Sequence, residues 1–196
     1  MKKNVLYILY TISALGVICS WIIGRYNGLV TLEENVELAW SQVENQYQMR
    51  VDLVPNLVAT VKGYATHERE TLEGVVSARA KATQMTIDLS SATPEQMASY
   101  QAAQGELGQA LGRLLVVAES YPNLKANENF QQLQSQLEGT ENRITYARDL
   151  FNRTAQTYNE SIRRFPNNMV AWLFGFDRKD YFQADQGANH APEVEF

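Results

Sequence analysis

Few residues in this chain could carry acid–base, nucleophilic or metal chemistry, and their spacing is poor for it. The histidines are His67 and His190, and neither lies three residues after a glutamate, the Glu-x-x-His spacing that places a metal-ligand pair on one face of a bundle helix. His67 does not begin a His-Glu-x-x-His pattern either. Glu68, Glu119, Glu138 and Glu141 remain as candidate oxygen ligands for a hard cation, which can be held by carboxylates alone. Solvated surface or ion pairing is the plainer reading of all four, so no metal ligand is assigned. The lone cysteine, Cys19, sits in an apolar run, and no Gly-x-Ser-x-Gly or phosphate-binding loop occurs. No catalytic or cofactor-binding residue is assigned, and the chain reads as a non-enzyme without cofactors.

Two sets of polar residues lie on or beside apolar stripes and need partners. Glu68 falls between Tyr64 and Leu72, and a core-side carboxylate must be compensated. Arg143 and Arg148 are the expected mates, through a bidentate pair that would fix helix register. Asn45, Asn142, Asn152 and Asn159 flank seams and are expected to set register by hydrogen bonding. By contrast, the run Gly63 to Val75 is charged on one face and reads as a solvated helix surface.

The elements that would position these groups are helical. Val36, Trp40, Val43, Tyr47, Val51 and Val54 form one stripe at steps of three and four. Pro55 predicts a kink or short turn, after which Leu57, Val61, Tyr64, Leu72, Val75 and Ala82 continue a helical face to about Met85. Thr93-Pro94-Glu95-Gln96 is a helix start, with cap, first-position proline and a capping-box glutamine. The third helix buries Leu107, Leu111, Leu114, Leu115 and Ala118 and ends at Tyr121-Pro122. After a Pro-Asn-Leu-Lys turn, a fourth carries Phe130, Leu133, Leu137, Ile144, Ala147, Phe151, Ala155, Tyr158, Ile162 and Phe165, closing at Pro166. Val170 to Phe176 reads as a short apolar turn or helix. Strand signals are weak, and long helices with short links pack antiparallel. The predicted fold is all-α: an N-terminal transmembrane helix followed by an antiparallel bundle of about four long helices.

The anchor is residues 4–24. Asn4 to Ile23 is free of formal charge and about the length that crosses ~30 Å of hydrocarbon. Signal-peptide cleavage near Ala14 to Gly16 would leave too short an apolar region before it. Ile18 is too bulky for lipoprotein processing at Cys19. Lys2 and Lys3 before the span, against Arg25 just after it, predict a cytoplasmic N-terminus and a domain outside the cytoplasm. The formal charge of −5 and pI near 5.1 give no basic field for nucleic acid.

The stretch AWSQVENQYQMRVDLVPNLVATVKGYATHE, from Ala39 to Glu68, resembles LemA-family proteins. The likeness continues through Leu111 to Asn152, through YNESIRRFP from Tyr158 to Pro166, and into the closing FGF and YF elements. Met49 stands where the family commonly has Arg, and Phe151 where it commonly has Tyr; neither departure disturbs the match. The resemblance implies a transmembrane segment, a bundle of long helices over residues 29–173 and a bacterial membrane location. It implies no established enzymatic activity and supplies no functional residues.

Residues 174–196 hold too many apolar groups for a solvated tail: Phe174, Phe176, Tyr181, Phe182, Val194 and Phe196. They are expected to pack on the bundle, with a neighbouring copy as the alternative. The expected partners are the lipid bilayer through residues 4–24 and further copies of the chain, and another membrane protein, such as a protease or transporter, is the alternative to these. The leading expectation is a membrane-anchored scaffold or protein-interaction module; the rival is a carboxylate bundle that binds metal.

Overall fold

The structure, a computed structural model, describes residues 2–65 and 67–183. Its elements are α1 (Lys2–Lys62), α2 (Arg69–Gln84), α3 (Pro94–Ala118), the single turn α4 (Pro122–Lys125), α5 (Glu128–Arg163) and α6 (Asn167–Phe174). The all-α bundle and its apolar N-terminal helix agree with the reading of the sequence.

The apolar N-terminal run and the first bundle helix are one continuous element, 61 residues and about 90 Å long. Among the described residues α1 is the helix long and apolar enough to cross a membrane, and none of its most apolar window is buried by the rest of the chain. The buried stripe of the bundle begins at Leu29 and recurs through Val36, Trp40, Val43, Tyr47, Val51, Val54, Leu57 and Val61. It starts within two turns of the apolar run, so no connecting loop is needed.

Pro55 does not interrupt α1 with a turn. A proline lacks the N–H that would bond the carbonyl four residues earlier, here that of Val51. Arg79 of α2 donates its Nε–H to that same carbonyl at 3.2 Å. A tertiary donor thus replaces the missing helical one, and the helix continues to Lys62.

The predicted helical face running on to Met85 is interrupted. α1 stops at Lys62, with Tyr64 exposed and Ala65 buried beyond it, and α2 starts afresh at Arg69. The new phase moves Glu68 off the core. It is half-buried at the N-cap of α2, where its Oε1 accepts from the Tyr121 hydroxyl at 2.8 Å, and its charge lies at the favourable end of the helix dipole. The arginine pairing expected for Glu68 is therefore incorrect. Arg143 donates to Gln46 and Thr140, and Arg148 to the Gln183 carbonyl.

α3 opens on the predicted capping box: Thr93 Oγ1 accepts from the Gln96 amide at 3.2 Å, and Gln96 Oε1 accepts from the Thr93 amide at 2.8 Å. The α5 seam is buried as read from Phe130 to Ile162, with Leu133 partly covered. Phe165 departs from it, because α5 ends at Arg163 and the side chain is left exposed.

The core has two parts. The distal part, farthest from the apolar end of α1, joins Val51 to Val61 with the buried faces of α2, α3 and the start of α5. The proximal part joins Leu29 to Tyr47 with Met97, Tyr100 and the second half of α5, and no residue of α2 enters it. Residues 176–183 take part there instead. Asn152 accepts from the Phe182 amide (2.8 Å) and donates to its carbonyl (3.0 Å). Asn159 does the same with Lys179 (3.0 and 2.8 Å) and also donates to the Tyr181 hydroxyl. Phe182 stacks on Trp40 and meets Phe151 edge-on. The buried Lys179 reaches Glu33 at 2.9 Å. Two of the four asparagines therefore fasten the tail segment rather than a helix pair; Asn45 and Asn142 are exposed and set no register. Phe176, Tyr181 and Phe182 lie on the bundle, whereas Val194 and Phe196 lie outside the described residues.

Candidate functional site

Between the two cores the stripe of α1 is interrupted by a charge. Arg50 is 4% exposed. Its Nη2 donates to the backbone carbonyl and the side-chain Oε1 of Gln104 on α3 (2.9 and 2.8 Å), and its Nη1 donates to Glu141 Oε1 on α5 at 2.9 Å. The guanidinium also lies 5.1 Å from the centre of the Tyr47 ring. One arginine thus ties three helices together, a use suited to a planar, always-charged fork. Its Nε is buried without a hydrogen-bond partner, so the site is satisfied on one edge and open on the other.

Arg50 and Tyr47 form the floor of a groove of about 850 Å³ between α3 and α5. Gln101, Gly105 and Gly108 line the α3 wall, and Glu141, Thr145 and Arg148 the α5 wall. Asp180, Tyr181 and Gln183 of the tail close one end. A Cβ at Gly105 would meet nothing within 4 Å, so the groove has open space beside this wall. The lining carries both signs of charge, Arg50 and Arg148 beside Glu106, Glu141 and Asp180.

Beside the groove, burial raises the Tyr100 hydroxyl well above its ordinary value, assisted by the neighbouring Tyr47 and Glu44. Burial likewise raises the Glu44 carboxyl, opposed by the Trp40 indole N–H one turn away.

The four carboxylates raised as oxygen ligands are engaged separately. Glu68 binds Tyr121, Glu119 pairs with Lys125, Glu138 accepts from Gln134, and Glu141 holds Arg50. Among the described residues no group of three or more His, Cys, Asp or Glu is placed to hold a metal. His67 is exposed in the turn before α2, and His190 lies outside the described residues. Sequence reasoning did not single out Arg50, although the signal was present: it sits three residues after Tyr47 and four before Val54, on the stripe itself. Gln104 offered no such cue, since its contribution is partly its backbone.

The sequence profile of the LemA family matches residues 39–196. Two magnetosome proteins MamQ of Paramagnetospirillum magneticum are each 29% identical to the chain over 202 residues, covering 93% of it and 74% of their own length. Protein LemA of Metamycoplasma hominis is 25% identical over 180 residues, covering 92% of the chain and 78% of its own length. None of these names states a reaction. With a profile match that takes in α2 to α6 and most of the bundle portion of α1, the chain belongs to the LemA family.

Proposed function

We propose that this protein is a non-enzymatic scaffold, anchored once in the bacterial cell membrane by residues 4–24 with its bundle outside the cytoplasm, and that it assembles with further copies of itself through the α3–α5 groove. The observation that carries the reading is the continuity of α1 from the apolar run to the groove floor at Tyr47 and Arg50. A helix without a hinge holds the groove at a fixed height above the bilayer, which a display surface requires and a diffusing-substrate enzyme does not. Arg148 lines the same surface as Glu106 and Asp180, and a surface that carries both signs of charge suits an isologous contact between two copies. Confinement to a plane raises the effective concentration of copies, so a modest contact suffices.

Light scattering on detergent-solubilised full-length protein, corrected for bound detergent, tests this. A defined oligomer that becomes smaller on Gly105→Trp is expected, because that side chain enters open space in the groove. A monomer for the unsubstituted chain would remove the reading.

A further inference from the structure

The proximal end of the bundle carries an apolar surface that neither the core nor the groove uses. α6 contains no charged residue and has two apolar faces. Val170 and Ala171 are buried against the bundle, whereas Met169, Trp172 and Leu173 face outward, and Phe165 just before the helix is exposed as well. Trp172, at 85% exposed, is the largest apolar side chain so presented on the bundle. An aromatic and aliphatic patch of this kind in water marks a contact surface.

Its position says which contact. Tyr26 of α1 packs on Phe174 (ring centres 4.8 Å apart) and on Phe176 (5.6 Å). Tyr26 lies three residues beyond Ile23, the end of the apolar run, or about 5 Å along the helix. The C-terminal end of α6 is therefore held level with the boundary of the proposed span, at the depth where Trp and Tyr rings prefer to sit. Arg25 lies over the Trp21 ring near the end of the apolar run, and Arg163, Arg164 and Arg178 flank α6 in the sequence. Apolar groups beside arginines are the composition of an element that lies in the headgroup layer.

We propose that α6 is a second lipid contact, lying in the interfacial layer of the bilayer with Met169, Trp172 and Leu173 among the acyl chains and the arginines at lipid phosphates. The inference rests on residues 4–24 being the membrane span. Lipid is the occupant rather than a second copy because the contact of Phe174 with Tyr26 holds the C-terminal end of α6 beside the end of the apolar run, where the span itself brings lipid to this face. Attachment at two points would stop the bundle from rotating about α1, so that every groove on the membrane faces a direction set by α6.

Cys19, exposed and the only cysteine in the chain, provides a built-in control. The full-length chain is placed in phosphatidylcholine–phosphatidylglycerol vesicles with one nitroxide, at Cys19, or in a Cys19→Ser background at Leu173→Cys or at Val116→Cys on the distal end of α3. Relaxation by oxygen, which concentrates in lipid, is compared with relaxation by a water-soluble nickel chelate. Labels at 19 and 173 are expected to favour oxygen severalfold and the label at 116 to favour the chelate. Trp172→Glu, at an exposed site that leaves the melting temperature unchanged, should shift position 173 toward the chelate. If position 19 reads as lipid but 173 resembles 116, the α6 contact is overturned while the span stands. If 173 is shielded from both agents, protein covers it and the contact is equally overturned. If position 19 itself reads as water, the span reading fails and the α6 contact falls with it.

Discussion

Distal to Arg50, α1 meets α2, α3 and α5 through Val, Leu and Ala side chains, and helix packs on helix throughout. Proximal to Arg50, α2 is absent from the core, and the irregular segment 176–183 lies against α5, fixed by side-chain amides and an aromatic cluster of Trp40, Phe151 and Phe182. The distal half draws its uniqueness from helix periodicity, which any aliphatic stripe supplies. The proximal half depends on specific polar groups, each tied to one position in the chain.

The largest expected effect comes from the residue on the boundary. Arg50→Leu leaves Gln104 and Glu141 without their donor, and losing the charged hydrogen bonds of this buried guanidinium costs about 3 kcal/mol, or roughly 6–12 °C in Tm for a domain of this size. Glu141→Gln should cost less, because Glu141 is 44% exposed and Gln still accepts a hydrogen bond. Equal losses for the two would break the assignment of Arg50 as the buried partner.

Next is Asn159→Ala, which strips both backbone bonds from Lys179 and is expected to cost about 2 kcal/mol. Hydrogen exchange should accelerate at residues 179–182 while Leu107 to Leu114 stay protected. If both halves loosen together, they are not separable units. Arg79→Ala probes the distal half, exposing the Val51 carbonyl for about 1.5 kcal/mol. In a Pro55→Ala background, where the helical N–H is restored, most of that loss should disappear; thermal melts of the four proteins give the coupling directly.

Smallest is Glu44→Gln. A carboxyl held above its ordinary value of 4.5 binds its proton more tightly when folded. Its contribution to stability is complete below that value and is lost as pH rises through the folded one. The substitution should therefore raise the melting temperature slightly near neutrality and leave it unchanged at acid pH; a loss at neutrality would mean that the charged form is stabilised instead.

The same contrast explains what was legible in the sequence. The distal stripe, the Thr93 capping box and the α5 seam announce themselves through spacing, because one side chain per turn or one cap suffices to define them. Glu68 was misread because its phase assumed a helix through residues 63–68, and nothing in Gly63-Tyr64-Ala65 marks the turn as strongly as a proline would. Pro55 misled in the opposite direction, since the donor that repairs the helix is Arg79, distant in sequence. Asn152 and Asn159 were recognised as polar residues beside a seam, but their partners are backbone groups of residues 179 and 182, which no side-chain pattern records. Arg50 was legible by the logic applied to Glu68 and was passed over; the groove it floors depends on where α3 and α5 diverge, which the sequence does not state.

Site-specific photo-crosslinking in intact cell membranes tests the central claim most directly. A photoreactive residue replacing Gln101, in the groove, should give an adduct of twice the chain's mass that Gly105→Trp abolishes, while the same probe at the exposed Tyr146 on α5 should give none. No adduct from position 101, or equal adducts from 101 and 146, would contradict assembly through the groove.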